Sequence, residues 1–484
     1  PSRVYYNGEQ RFAELTEGMQ PQEVLVAMTA ALDRQPDSVS MAKAYRTMAE
    51  QCLKAADPLD TSVEMRARLN AVAASLSHAR EAVPSGTDAR KELEQLMPAF
   101  EAARDSLAQR EAALGHCRIV LNGTPVSATT HAVVLPDDPT PQETHAAREL
   151  RHHLELLTGE VFPIRHDSEG GDATPIVVGH SALLEQLGVP VDYNALGLEG
   201  LAIRTAGPAL VLTGNRRGVL YAVYTFLEDY LGCRWFTPDC TQLPKIGTFK
   251  LGAINRTYVP PLEYRATDYP NSRPADWAVR NKLNGTQTEL DEARGGKISY
   301  SHFVHTFNAL IPPERYFDEH PEYFSEVNGK RLRDNTQLCL TNPQVLQLAI
   351  EQVRQWIKDA PEATFFSVSQ NDWGNYCQCP NCTALAEHEG SQSGPLIEFV
   401  NAIADALKDD YPNVTIDTLA YQYTRKPPKY TRPRPNVCVR LCSIECCFAH
   451  PLESDPFNAT FVADIRDWAK ICNRLYIWDY TREG

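Results

Sequence analysis

The chain has 484 residues, with 47 lysines and arginines against 62 aspartates and glutamates, a formal net charge of −15. That length suggests about three domains, and a hydrophobic fraction of 43% is enough to build real cores. The charge argues against a nucleic-acid binder, which carries a basic patch, and no stretch approaches the ~20 apolar residues that span a bilayer.

The opening "PSRVYYNGEQ" has neither the basic n-region nor the apolar h-region of a signal peptide. It also lacks an initiator methionine, so the true start is read as removed and export stays open. Residues 1–115 read as helical. "EVLVAMTAALDR", "MAKAYRTMAEQCLKAA", "VEMRARLNAVAASLSHAREAV" and "DARKELEQLMPAFEAARDSLAQREAAL" place apolar residues at spacings of three and four. Asp88 reads as an N-cap and Gly115 as a stop. The expectation is an antiparallel helical bundle or spacer without a catalytic constellation.

From Cys117 the pattern changes to short β-branched runs, "CRIVLNG", "HAVVLP", "TPIVVGH", "LAIRTAG" and "ALVLTGN", each ending in turn residues. Helical stretches lie between them, "TPQETHAARELRHHLELLTG" and "RGVLYAVYTFLEDYLG". Strands alternating with helices predict a small α/β domain over 116–254. His152 and His153 fall on one of these helices, where a solvated face explains them better than a metal does.

A third region, 255–484, repeats a strand-then-helix order. Strand-like runs are "EYRAT", "VHTF", "TFFSVSQND", "TIDTLAYQY", "VCVRLCSIE" and "LYIWDY", with "NKLNG" as a further candidate. The helices are "NPQVLQLAIEQVRQWIKD" and "SGPLIEFVNAIADALKDDYP". This order predicts a parallel (β/α)8 TIM-type barrel with its active site at the strand C-terminal ends. His305, Asn371, Asp372, Tyr421, Glu445 and Asp479 cluster at those ends. About seven strands are countable where the barrel needs eight, so the chain is expected to be a fragment of the barrel, or one strand is hidden.

Four stretches, "GNRRGVLYAVYTFLEDYLGCRWFTP", "SQNDWGNYCQCPNC", "SIECCFAHPL" and "YIWDYT", together resemble domain-of-unknown-function family 4838. That family includes glycoside hydrolase family 163, endo-β-N-acetylglucosaminidases acting on N-glycans. The resemblance covers about residues 117–484. It implies that the middle domain is similar to the small α/β domain preceding the barrel in α-glucuronidases and hexosaminidases. It also implies a glycan or glycoprotein substrate, a secreted, periplasmic or cell-surface location, and catalysis that requires no cofactor. "WDYT" usually continues into more barrel, which strengthens the expectation of truncation.

Glycoside hydrolysis generally needs two carboxyl groups flanking the scissile bond. One protonates the leaving oxygen. The other activates water, attacks the anomeric carbon, or steadies a substrate acetamido group that attacks instead. Asp372, after "TFFSVS", and Glu445, after "VCVRLCSI", are the best-placed acids. The assignment expected is Glu445 as acid/base and Asp372 as the stabilising or orienting carboxylate. A turn acid is the plain alternative for Asp372, and a charge partner for Arg440 is the plain alternative for Glu445. Asp479 in "WDYT" is a third candidate, with a structural hydrogen bond as its alternative, and Asp268 a fourth. Substrate-assisted hexosaminidases often show an adjacent Asp-Glu pair at one strand end. Here the pair is Asn371-Asp372, and Asn371 is expected to hydrogen-bond a sugar hydroxyl or acetamido group.

Trp373, Tyr376, Tyr421, Tyr423, Trp478 and Tyr480 also fall at expected strand ends. Sugar C–H faces stack on such rings, and a polar tip suits a half-wet cleft. His305 reads equally as a hydroxyl ligand and as a structural histidine. Cys377, Cys379 and Cys382 form C-x-C-x2-C. Three thiolates on one loop suit tetrahedral zinc with a fourth ligand from elsewhere. Cys442, Cys446 or Cys447 is expected to supply that ligand, or to form disulfides. Structural zinc, disulfides and free thiols all fit the spacing, in a chain whose 13 cysteines make an odd count. Two further function classes stay open beside the leading one. They are another glycosidase, exo-hexosaminidase or α-glucuronidase-like, and a non-catalytic carbohydrate-binding barrel.

Overall fold

The computed structural model describes residues 114–480, together with Asp88, Arg90, Lys91, Glu94, Gln95 and Pro98. The helical region expected over 1–115 therefore lies almost wholly outside the described residues. The chain divides into two compact units. One comprises Pro1–Glu263, Thr267–Leu283 and Thr288–Gly296, and the other Tyr264–Ala266, Asn284–Gln287 and Lys297–Gly484.

Among its described residues the first unit contains eleven strands: β1 (His116–Leu121), β2 (Thr124–Val126), β3 (His131–Leu135), β4 (Ile164–His166), β5 (Thr174–Val178), β6 (Leu201–Ala206), β7 (Ala209–Gly214), β8 (Arg234–Thr237), β9 (Cys240–Gln242), β10 (Ile246–Leu251) and β11 (Asn255–Tyr258). Six of them form a mixed sheet in the order β11-β6-β7-β5-β3-β4. The helix Pro141–Thr158 packs beside it. Thr140 and Glu143 cap its start reciprocally, and Gly159, at φ 77°, ends it in the left-handed conformation. Ala146, Glu149, Leu150, His153, Leu154 and Leu157 lie at helical spacing and are all buried.

His153 thus departs from the solvated face expected of it. Its position on the apolar stripe overrides its polarity. Its Nδ1 lies 2.8 Å from the Glu149 carbonyl, and Trp235 Nε1 donates to its Nε2 at 3.3 Å. Glu149 is fully buried and accepts hydrogen bonds from Arg280 at 2.9 and 3.1 Å and from the Tyr224 hydroxyl at 3.0 Å. Burial opposes its charge, but the Arg280 guanidinium outweighs this and holds the carboxyl at about 2. A native value depressed from 4.5 to about 2 contributes roughly 3 kcal/mol. The sign follows from the depression: the contribution is complete above the unfolded value and is lost as pH falls towards 2. Denaturant titrations of wild type and Glu149→Gln should show the wild-type advantage shrinking as pH falls below about 4.5. Parallel pH profiles would contradict this role.

In the second unit, five strands form one sheet in the order β12-β15-β16-β17-β18. They are β12 (Tyr300–Ser301), β15 (Phe365–Ser367), β16 (Thr415–Ala420), β17 (Val437–Cys442) and β18 (Arg474–Trp478), all paired in parallel. The short hairpin β13 (Glu326–Val327) and β14 (Lys330–Arg331) lies apart from it. Helices Pro343–Asp359, Pro380–Glu389, Ser393–Leu407 and Ala459–Ala469 intervene between strands. Strands β16 and β17 are buried at every residue, as a parallel sheet covered on both faces requires.

Alternation gives the two faces of this sheet different roles. Ile416, Ala420, Val437, Val439 and Leu441 pack with Phe399, Val400, Ile403 and Trp468 from the helices. On the opposite face Asp417 and Arg440 form a buried ion pair, 0 and 4% exposed. The Arg440 guanidinium lies over the rings of Tyr300, Phe303 and Trp478 at 5.2, 4.2 and 5.0 Å.

The sequential parallel order is that of a βα repeat, but no closed barrel forms among the described residues. Strands β12 and β18 are its edges. Neither "EYRAT" nor "NKLNG" makes a strand. Arg265 N instead donates to the Asn284 side chain at 2.8 Å. "VHTF" is also not a strand. His302 and His305 adopt φ of 57° and 53°, a left-handed geometry that an extended ladder excludes, so the strand stops at Ser301.

Candidate active site

Beyond β15 the chain runs through three buried polar residues before it reaches an exposed acid. Ser369, Gln370 and Asn371 are 0, 1 and 3% exposed. Buried polar groups need partners, and these bonds lock the strand end. Gln370 donates to the Tyr421 carbonyl at 3.1 Å and to the Thr424 hydroxyl at 2.7 Å. The Asn371 side chain donates to Asn308 Oδ1 at 2.9 Å and to the Thr336 carbonyl at 2.8 Å, and its amide donates to Gln337 at 2.9 Å. Asn371 is therefore spent on the frame, and the sugar contact expected of it is not how the structure uses it.

Asp372 then emerges with its side chain 57% exposed. The Tyr421 hydroxyl, one residue past β16, donates to Asp372 Oδ1 at 2.9 Å, and Gln422 donates to the same hydroxyl at 3.0 Å. Burial and the Asp372 charge push the Tyr421 hydroxyl up to about 12, so it stays a proton donor at neutral pH. His305 Nε2 stands 3.8 Å from Asp372 Oδ1, while its Nδ1 lies 2.8 Å from the Gln370 carbonyl. A carbonyl only accepts, so Nδ1 carries hydrogen and Nε2 is the ring atom turned towards the carboxylate. Trp478 and Tyr480 stack at 5.8 Å and pack with Tyr421 and Cys442 beside this point.

Glu445 follows β17 and has different partners. Its Oε2 accepts from Arg425 Nη1 at 2.7 Å, and Arg425 Nε is bound to Asp464 at 2.7 Å. Arg440, the partner anticipated for it, is committed to Asp417. Glu445 lines an open cleft of about 880 Å³ together with Gln422, Tyr423, Arg425 and Asp464. Gln422 therefore touches the Asp372–Tyr421 group and also borders the Glu445 cleft.

The remaining candidates have structural surroundings. Asp479 accepts from the Ser443 hydroxyl at 2.7 Å and from the Tyr480 amide at 3.1 Å, a turn at the end of β18. Trp373 donates its indole N–H to the Thr336 carbonyl at 2.7 Å. Tyr376 and Tyr423 pack on each other at 5.2 Å. Asp268 is exposed and falls in the first unit. Cys377, Cys379 and Cys382 do converge, but with Cys339 and not with Cys442, Cys446 or Cys447. Cys442 lies on β17 packed against Tyr421, and the Cys447 thiol faces His450 at 3.4 Å. Asp417, Gln337, Gln370 and Cys339 escape the sequence reading, and Arg440 reads there as a partner of Glu445 and not of Asp417. Only the C-x-C-x2-C spacing, which asks for a fourth thiolate, could have prompted a search for Cys339.

Residues 235–483 match the family described as domain of unknown function (DUF4838). No curated protein matches the chain. Among solved structures it is similar to a β-N-acetylhexosaminidase from Bacteroides fragilis NCTC 9343, at 12% identity and TM-score 0.33, over 65% of this chain and 66% of that one. It is also similar to a GH20 exo β-N-acetylglucosaminidase from Vibrio harveyi, at 12% identity and TM-score 0.36, over 70% of this chain and 56% of that one. The chain thus spans under two thirds of the length of both.

Proposed function

We propose that this chain, which belongs to the DUF4838 family, is a glycoside hydrolase acting on β-linked N-acetylglucosamine-containing glycans such as the core of N-glycans. One observation carries the reading. Asp372 is an exposed carboxylate at the C-terminal end of a parallel strand, held by the Tyr421 hydroxyl at 2.9 Å and faced by His305 Nε2 at 3.8 Å. A polar notch of this kind takes a sugar hydroxyl or an acetamido N–H. The stacked Trp478–Tyr480 pair beside it supplies a ring face for sugar C–H groups.

In this reading Asp372 orients or stabilises the sugar and Glu445 acts as acid/base. Glu445 gives its proton to the leaving oxygen as the C–O bond breaks and the substrate's acetamido oxygen, oriented by Asp372, bonds to the anomeric carbon. The proton is recovered when water, deprotonated by the same carboxylate, adds to the anomeric carbon. The cleft beside Glu445, about 880 Å³, is of a size that holds a small-molecule ligand. Such a substrate fits a secreted, periplasmic or cell-surface protein. Digestion of a glycan panel by the complete protein, read by mass spectrometry, tests the reading. Release at a β-linked N-acetylglucosamine is expected, and a panel left intact would overturn it. A carbohydrate-binding role is favoured by one feature, the ion pair that ties Glu445 to Arg425. Its signature is retention of glycans without cleavage.

A further inference from the structure

Four cysteine sulfurs meet in the second unit. Cys339 enters from the segment beyond the β13–β14 hairpin, drawn in by the antiparallel bridge between Phe324 and Leu338. Cys377 and Cys379 lie on the loop after β15, and Cys382 in the first turn of helix Pro380–Glu389. All four are buried, at 4, 6, 6 and 3% exposure, and all are free thiols. Their Sγ atoms lie within 4.8 Å of one another. Cys339 Sγ is 3.7 Å from Cys379 Sγ and 3.9 Å from Cys382 Sγ.

Those separations discriminate between the chemistries open to four thiols. A disulfide brings sulfurs to about 2.05 Å, roughly half of what is seen. A tetrahedron of sulfurs with metal–sulfur bonds of about 2.3 Å has edges of about 3.8 Å. We infer that Cys339, Cys377, Cys379 and Cys382 form a structural Zn(Cys)4 site. The four ligands fill the coordination sphere, so the site is closed and has no position for a substrate or water.

The surroundings suit thiolates, which carry excess negative charge even around zinc. The Glu326 amide donates to Cys377 Sγ at 3.4 Å, and Arg331 Nη1 approaches the same sulfur at 3.7 Å. The Thr341 hydroxyl lies 3.2 Å from Cys382 Sγ. Such contacts orient ligands and balance their charge. The position of the site gives it a role. Gln337 donates to the carbonyls of Asn371 at 2.9 Å and Trp373 at 2.6 Å, and Asn375 donates to the Asn335 carbonyl at 2.9 Å. The metal would fasten the far end of this zipper, between Cys339 and Cys377, and so brace the loop that carries Asp372. The inference stands on the sulfur geometry and does not depend on the glycosidase reading.

The test is metal content of the full chain, purified without chelator or added metal. One zinc per chain is expected by elemental analysis. Cys339→Ser should lose it, and Cys472→Ser, whose thiol lies outside the cluster, should keep it. If Cys339→Ser fails to fold, Cys339→His restores a ligand and should restore the zinc. Replacement of zinc by cobalt(II) in the wild-type chain should give thiolate charge-transfer bands and tetrahedral d–d bands, a readout that needs no variant. Absence of metal, iron in place of zinc, or an intact mass lacking the hydrogens of two disulfides would each overturn the inference.

Discussion

Asp372→Asn, made in the complete protein, should lower turnover of a cleavable β-linked N-acetylglucosamine glycan by about 10²-fold or more while leaving the unfolding temperature unchanged. The substitution keeps the shape and removes the charge. The side chain is 57% exposed, and it meets the Tyr421 hydroxyl and the His305 ring at the mouth of the strand end, so little stability rests on it. Tyr421→Phe should have a smaller effect in the same direction, because it removes one donor to the carboxylate and leaves the charge in place. Its loss should fall on kcat more than on KM if the hydroxyl holds Asp372 in its working geometry. Near-normal turnover in Asp372→Asn would take that residue out of the mechanism, whatever became of Glu445.

Arg440→Met should cost about 3–5 kcal/mol of stability. The change leaves Asp417, fully buried, without its charge partner, and it empties the space between Tyr300, Phe303 and Trp478. Removing both charges, in Asp417→Asn with Arg440→Met, should recover part of the loss, because the penalty lies mainly in stranding one ion. Thermal unfolding of the three proteins, with hydrogen exchange on β16 and β17, checks this. A single-variant loss below about 1 kcal/mol, the range of an exposed ion pair, would contradict a buried structural role.

The strands that place the candidate acids were legible because each is a short apolar run that ends abruptly in polar residues. "TFFSVS" leads to Asp372, "TIDTLA" to Tyr421 and "VCVRLC" to Glu445, and β15, β16 and β17 run there in parallel. What those runs could not reveal is pairing across strands. A lone Asp417 or Arg440 in a strand reads as a solvent-facing position, and only the register of β16 on β17 turns the two into a buried pair. His305 was visible as a residue, but the left-handed backbone that turns its ring towards Asp372 was not, because histidine carries no strong signal for positive φ. Cys339 was hidden by distance. It lies 40 residues before Cys379, and a single β-bridge brings it close. The barrel expectation came from the strand–helix rhythm. That rhythm specifies the parallel order of β12 to β18 but not closure, which depends on edges finding one another.

Hydrolysis places an oxygen from water on the anomeric carbon, and that is the most direct measurement available on the central claim. The complete protein should be incubated in ¹⁸O-enriched water with an N-glycan carrying β-linked N-acetylglucosamine, and the released sugar weighed by mass spectrometry. A glycosidase with Glu445 as acid/base and Asp372 as the orienting carboxylate predicts a released fragment bearing one ¹⁸O at its new reducing end, formed about 10²-fold or more slowly by Asp372→Asn. An intact glycan, or a fragment released without label, would contradict it.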